Sequence, residues 1–237
     1  MKYILHPASS RGVANHGWLQ SAHSFSFGSY YNPERMNFGA LRVLNDDLVS
    51  PSMGFGTHGH RDMEIVSIPL SGSLKHRDSM GNEAIIRSGE VQVMSAGTGI
   101  EHSEMNGSST DPVSFLQLWI IPRERSVIPR YDQITLNPEN SLNRWDQILS
   151  PNADDPGVWV HQDAYMFLSR LNADTELSYA LKYPITHGVY LFVLEGSIAI
   201  EDIELNSRDA IGITKTSSFQ VLAKKEASLL VIEVPMD

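Results

Sequence analysis

The sequence predicts an all-β protein made of two similar halves. Short runs rich in Val, Ile, Phe and Tyr alternate with Gly, Asn, Asp and Pro punctuation. Long amphipathic helices are scarce, and the strand-like rhythm resumes after a single stretch rich in Asn, Asp and Pro. Many short strands at close, regular spacing suggest a sandwich or a barrel. With 237 residues, 41% of them hydrophobic, the chain can bury one large core or two of ordinary size.

In chain order, residues 24–27 alternate polar and aromatic, and Tyr31-Asn32-Pro33 reads as a turn. A strand is expected over 38–44, stopped by Asn45-Asp46-Asp47. Further strands are expected over 63–70, 73–78, 84–87, 91–95 and 113–121, with turns at Ser71-Gly72 and Met80-Gly81-Asn82. Residues 142–149 are the best short helix candidate. Residues 137–157 read as a connector between a first domain, 1–136, and a second, 158–237. In the second, strands are expected over 158–161, 165–171, 176–183, 189–194, 197–201, 210–213 and 227–234.

The halves resemble each other locally. Ile68-Pro-Leu-Ser-Gly72-Ser-Leu matches Phe192-Val-Leu-Glu-Gly196-Ser-Ile, and Gly89-Glu90-Val-Gln-Val matches Arg208-Asp209-Ala-Ile-Gly212. On this alignment Val221 faces His102 and Ala223 faces Glu104. Only His187 precedes Gly196, so the second half reads as a scaffold without a metal.

The formal net charge of -10, from 18 basic and 28 acidic residues, opposes binding to a phosphate backbone. Arg123, Arg125 and Arg130 form no dense patch, and no nucleic-acid partner is expected. The absence of cysteine excludes disulfides, thiolate metal sites and a cysteine nucleophile. The start lacks the apolar run of a signal peptide and no stretch approaches a membrane span. A cytoplasmic protein without membrane contact is the expectation.

The chemistry concentrates in two stretches. Gly54-Phe-Gly-Thr-His-Gly-His60 holds two histidines two residues apart, which share a face if the stretch is a strand. Gly97-Thr-Gly-Ile-Glu-His-Ser-Glu104 answers it with His102 and Glu104 at the same spacing. Two such strands can converge on one metal ion: imidazole suits iron, copper, nickel and zinc, and a carboxylate adds a hard oxygen. Four ligands on one side of an octahedral ion leave two positions for water, substrate or dioxygen. Strand parity also puts Glu64 on the face of His58 and His60 if no bulge intervenes, so Glu64 and Glu104 both stand as candidates.

The order Gly-x3-His-x-His, Glu64, Gly72 resembles the first motif of the cupins, and Gly89 through Gly97 to His102 and Asn106 their second. His102-x-Glu104, with Asn15-His16-Gly17-Trp18, His23-Ser-Phe-Ser-Phe27, Asp78-Ser79-Met80-Gly81 and Ser95-Ala-Gly-Thr-Gly99, resembles the pirin family, in particular bacterial pirin-like quercetin dioxygenases. The resemblance spans nearly the whole chain, is strongest over 11–122 and thin after the connector. It implies two cupin (jelly-roll) β-barrels packed face to face, and one divalent transition metal per chain in the first. Iron is the first expectation, with copper, nickel, manganese or zinc also compatible with three His and one Glu. It implies His58, His60, His102 and Glu104 as ligands, and Glu64 as a neighbour. Gly59, where many pirins carry Pro, and Asp62-Met63, where eukaryotic members carry Gly-Phe, depart from the family in the pocket wall.

The implied activity is a dioxygenase. A flavonol such as quercetin binds by its 3-hydroxyl at the open metal position, Glu104 serves as base, and dioxygen opens the central ring with release of carbon monoxide. Trp18, His23, Phe25 and Phe27 are the candidates for holding the small aromatic substrate. His16 either supports a metal ligand from behind or is structural, His76 near Asp78 is a loop support, and His6, His161 and His187 are structural or surface groups. Gln117 and Trp119 share a strand face that can look into the barrel. The alternative is a non-enzymatic metal-binding pirin with a protein partner. A sugar-phosphate isomerase would need a cationic clamp, for which only Arg42 and Arg61 offer the residue type.

Overall fold

Strand β11 shows why this chain folds as stacked sheets. Val-Ser-Phe-Leu-Gln-Leu-Trp-Ile, Val113–Ile120, is apolar at nearly every position because both of its faces are buried. In the computed structural model, which describes residues 1–237, more than half of the chain is strand and the only helices are two short 3-10 turns. The first half contains β1 (Lys2–His6), β2 (Gly12–Asn15), β3 (Leu19–His23), β4 (Leu41–Val49), β5 (Gly54–His60), β6 (Glu64–Ser71), β7 (Ser73–Asp78), β8 (Glu83–Arg87), β9 (Glu90–Ser95), β10 (Ile100–Asn106), β11 and β12 (Arg130–Thr135). The second contains β13 (Asp146–Ser150), β14 (Val158–Trp159), β15 (Tyr165–Leu171), β16 (Glu176–Ala180), β17 (His187–Glu195), β18 (Ser197–Ile200), β19 (Ile203–Asn206), β20 (Ala210–Thr214), β21 (Ser218–Ala223) and β22 (Ala227–Pro235).

These strands form two barrels of one design. A seven-stranded sheet, β12-β9-β6-β11-β4-β3-β2, faces a four-stranded sheet, β5-β10-β7-β8. The second barrel repeats the order: β1-β20-β17-β22-β15-β13-β14 faces β16-β21-β18-β19. The repeat extends to the turns. Gly72 and Gly196, at φ 73° and 85°, occupy equivalent hairpins, and a Cβ at either would collide with the strand opposite. The two seven-stranded sheets pack on each other. Their outward residues, among them Val66, Leu116, Leu118, Tyr190, Phe192 and Ile232, share one core of 25 buried side chains, the largest in the molecule. No helix is long and apolar enough to cross a membrane.

The structure departs from the sequence reading in several places. Residues 142–149 are not helical; a short 3-10 turn at Pro138–Ser141 is followed by β13, whose Ile148 and Leu149 are fully buried in the core between the sheets. Asn45-Asp46-Asp47 does not stop a strand: β4 runs on to Val49, because β3 and β11 pair with it on both sides. Residues 24–27, which alternate in sequence, contribute a single bridge, Phe27 to Tyr30. The strand pairing also cuts the chain differently from 1–136, 137–157 and 158–237. β1 crosses to pair with β20, and β13 within the expected connector belongs to the second sheet.

The pairing registers fix which residues correspond. Asn106 pairs with Leu74 after Gly72, and Ala223 pairs with Ile198 after Gly196. The counterpart of His102 is therefore Phe219 and that of Glu104 is Val221, two residues before the positions the sequence alignment selects. His58 and His60 correspond to Tyr179 and Leu181, since His102 pairs with His58 and Phe219 with Tyr179.

Candidate metal centre and cavity

The site is built across the antiparallel pair β5 and β10. Alternation on β10 turns His102, Glu104 and Asn106 inward and leaves Glu101 and Ser103 less buried. His102 sits opposite His58, and Ile100 opposite His60. Between His102 and Glu104 the register slips, so Glu104 pairs with Phe55. This β-bulge lets β5 bend at Gly56 and Thr57, and it serves His58: its Nδ1–H donates to the Gly56 carbonyl at 2.8 Å, leaving Nε2 as a free acceptor.

One ring nitrogen each from His58, His60 and His102 lies within 4.8 Å of the others. The Nε2 atoms of His58 and His102 face each other at 3.1 Å, and the buried Nε2 of His60 has no hydrogen-bond partner. Burial, aided by the neighbouring imidazoles, lowers His60 to about 4 and His102 to about 3, so both are neutral at pH 7. Two lone pairs aimed at one point and a third buried nitrogen without a partner are costly in a folded protein. A divalent metal satisfies all three, and neutral imidazole is the form it needs. The residues present fit a metal.

Glu104 is almost fully buried beneath this cluster. Ser67 Oγ donates to its Oε1 at 2.8 Å and Gln117 Nε2 to its Oε2 at 2.9 Å, while Gln117 also donates to Ser67 Oγ at 3.0 Å. Its nearest ligand-type neighbours are His102 and His76, within 4.8 Å. Glu64 joins neither group. It accepts from Ser95 Oγ at 2.7 Å, and burial pushes its carboxyl up to about 7. The parity that would put it beside His58 and His60 is broken at Asp62, whose φ of 49° turns the chain from the four-stranded sheet into the seven-stranded one.

His58 and His60 also form part of the wall of a cavity of about 650 Å³, a volume suited to a drug-sized organic molecule. Trp18, His23 and Phe27, three of the four residues the sequence offers for a substrate, line it, and so do Trp119 and Gln117. Phe25 does not. It is buried between the barrels, its ring 5.3 Å from Tyr190 and 6.0 Å from His6. Aromatic contacts run away from the metal cluster in one line: His60 to Trp119 at 5.0 Å, Trp119 to Phe27 at 5.3 Å, Phe27 to His23 at 5.3 Å.

The remaining histidines separate by place. His16 lines the cavity, while His6 bonds Tyr190 and His187 bonds a backbone carbonyl. His76 proves closer to the metal cluster than its sequence context suggests. It is fully buried, 5.4 Å from His102 ring to ring, with Nε2 on Asp78 at 3.1 Å and Nδ1 without a partner. Arg42 is tied to the carbonyls of Ser26 and Met36, and neither it nor Arg61 lines the cavity. Sequence reasoning missed Ser21, Asn45, Asp47 and Ser67; only an alternation count carried through Asn45-Asp46-Asp47 could have found the middle two.

Two family models match the chain: that described as Pirin over residues 6–120, and the quercetinase C-terminal cupin domain over 147–234. A quercetin 2,3-dioxygenase of Escherichia coli is 39% identical over 98% of both chains. A putative quercetin 2,3-dioxygenase of Zymomonas mobilis is 39% identical over 97% of both. Among solved structures, YhhW from Escherichia coli matches with a TM-score of 0.94 at 38% identity, covering 100% of this chain and 99% of that one. The bacterial pirin YhhW in complex with nickel(II) matches at 0.93 and 38% identity, with 100% of each chain covered.

Proposed function

The chain belongs to the pirin family, and from that premise we propose that it is a metal-dependent dioxygenase that opens the central ring of a flavonol such as quercetin. One observation carries the reading: His58 and His60, whose ring nitrogens converge with that of His102, stand in the wall of a large cavity beside Trp18, Phe27 and Trp119, so a metal held there would face a space that admits a flat organic substrate.

His58, His60 and His102 hold the metal, and Glu104 is the fourth ligand. Iron(II) is the first metal of this reading, because imidazoles with one carboxylate and open positions suit it; the nickel(II) complex of YhhW makes nickel the second. When bound, the metal acidifies a coordinated hydroxyl and gives substrate and dioxygen a common place to meet. Glu104 takes the proton of the flavonol 3-hydroxyl on a carboxylate oxygen. Ser67 and Gln117, which donate to its two oxygens, hold that carboxylate in place and soften its charge. Trp18, Phe27 and Trp119 offer faces and edges to the flat ring system and exclude water from it.

The test is oxygen-dependent loss of flavonol absorbance by protein stripped of metal and reloaded under nitrogen with iron(II), nickel(II), copper(II) or manganese(II). Turnover should require metal and vanish in His102→Ala. Glu104→Ala should still bind flavonol yet lose at least ~100-fold in kcat, the usual scale of a general base. One bound metal per chain with no turnover under any of the four would sink the enzymatic reading in favour of a metal-binding protein that acts through a protein partner.

A further inference from the structure

A polar cluster stands at the far end of the aromatic line from the metal ligands. Ser21 and His23 on β3 meet Asn45 and Asp47 on β4, where Ser21 pairs with Asp47 and His23 with Asn45. All four are more than nine-tenths buried, and all four line the cavity. Their hydrogen bonds run inward among themselves. Ser21 Oγ donates to Asp47 Oδ1 and lies 3.2 Å from His23 Nδ1, and His23 Nδ1–H donates to Asn45 Oδ1 at 2.8 Å.

That wiring fixes what remains. With its proton on Nδ1, His23 has a bare lone pair on Nε2. Asp47 Oδ2 is a second acceptor and Asn45 Nδ2 a donor. None of these three atoms bonds within the protein, and none is closed off from the cavity, unlike the buried atoms that lack partners elsewhere. Burial lowers His23 below the ordinary histidine value, keeping it an acceptor at pH 7. Burial likewise raises Asp47 to about 7, so the carboxylate form, in which Oδ2 accepts, prevails above pH 7. Two acceptors and one donor in a cavity that also carries Trp18, Phe27, Phe55 and Trp119 match a ring that carries hydroxyl groups. The opposite barrel holds no such set: Phe167 and Ser169 take the places of Asn45 and Asp47.

We propose that Ser21, His23, Asn45 and Asp47 form a subsite for the phenolic hydroxyls of the substrate ring remote from the metal, so that the cavity selects polyhydroxylated flavonols over the bare chelating core. The proposal rests on the dioxygenase reading for the placement of the 3-hydroxyl at the metal end. Phenol O–H groups donate to His23 Nε2 and Asp47 Oδ2, and Asn45 Nδ2 donates to a phenol oxygen. A site that hydrogen-bonds a hydroxyl rejects the analogue lacking it, because its buried groups are then left unpaired.

The experiment measures dissociation constants by tryptophan quenching on nickel(II)-loaded protein under nitrogen, so that no turnover enters. Quercetin is compared with 3-hydroxyflavone, which keeps only the chelating hydroxyl and carbonyl. The wild type should bind quercetin about 10–100-fold more tightly, the scale of one or two unmet buried hydrogen bonds. His23→Phe keeps a ring in place, and Asp47→Asn keeps the shape but changes the acceptor. Each should weaken quercetin at least tenfold more than it weakens 3-hydroxyflavone, with a single cooperative unfolding transition and one nickel per chain as checks on folding. Equal affinities in the wild type, or parallel weakening of both ligands in the variants, would overturn the subsite and leave the dioxygenase reading standing. Binding of neither flavonol by the wild type would overturn both.

Discussion

The two barrels share one strand order and differ in what they enclose. In the first, His58, His60, His102 and Glu104 point inward; in the second the same places hold Tyr179, Leu181, Phe219 and Val221. Ser67 and Gln117, which hold Glu104, correspond to Leu191 and Val231. All six replacements are buried, in a cluster of 19 apolar side chains that fills the second barrel, Leu191 and Val231 being fully buried. The first barrel has only two small apolar clusters of its own, of six and four residues. The interior of a small barrel is occupied either by side chains or by a ligand cavity. Here one copy took each course, and the packed barrel lends its outer sheet to the core that supports the open one.

Exchanging residues between the copies breaks the comparison most sharply. His102→Phe installs the residue of the packed barrel. It removes one of three converging nitrogens and should lower metal affinity by well over ~100-fold, more than the loss of an outer-shell partner; titration with nickel(II) against a chelator reads this. Next in size is the carboxylate of the packed barrel. Glu233 is fully buried and accepts from Tyr179 O–H at 2.6 Å, Tyr183 N–H at 2.9 Å and Lys182 N–H at 3.1 Å. It stands where Trp119 stands in the first barrel. Glu233→Leu should cost about 3 kcal/mol in urea unfolding, since three donors lose their partner, with nickel affinity unchanged. A drop in nickel affinity would mean that the barrels are not independent in function.

The scaffold was legible because its signals are local and repeated. The strands from 73–78 and 165–171 match β7 and β15 residue for residue, each being an apolar or alternating run bounded by glycine or charge. The histidine pairs were legible for the same reason: strand spacing puts both members on one face. What stayed hidden needed three dimensions. Asn45-Asp46-Asp47 has the composition of a turn, yet lies mid-strand, because a barrel that encloses a polar cavity must place polar side chains on strands that elsewhere carry apolar ones. Phe25 reads as a pocket aromatic by proximity in sequence, but the packing of a second barrel behind β4 buries it. The correspondence of His102 with Phe219 rather than Val221 follows from pairing across Gly72 and Gly196, and short motifs do not fix such a register.

A smaller effect sharpens the boundary of the metal site. His76 corresponds to Ile200 in the packed barrel by its position after the glycine hairpin. In the first barrel it lies between Asp78 and His102, with Nδ1 free and buried. It packs on the His102 ring at 5.4 Å without a hydrogen bond to it, and His76→Phe, which keeps a ring there, should weaken nickel(II) binding by no more than about 10-fold, the low end for a residue supporting a ligand. An unchanged affinity would reduce His76 to packing against Tyr131, 4.8 Å away ring to ring.

The smallest expected effect concerns what the open barrel costs. Asp47 titrates near 3.8 when unfolded and at about 7 in the folded chain, through burial. Below the lower value both states hold the proton, and the residue adds nothing to the pH dependence. As pH rises from about 4 to 7, the unfolded chain releases its proton and the folded chain keeps it, so stability falls; above 7 the loss is complete. At about 1.4 kcal/mol per pKa unit the ceiling is roughly 4 kcal/mol, and access of water to the cavity lowers it to about 1–2 kcal/mol. Asp47→Asn should therefore differ least from wild type near pH 3 in the metal-free protein and be more stable than wild type by that amount at pH 8. Glu64, also raised to about 7, and His6, lowered to about 4, titrate alike in both proteins and cancel in the difference. A gain that does not grow with pH would mean that Asp47 is well solvated in the cavity, and that its carboxylate is held there at no cost to the fold.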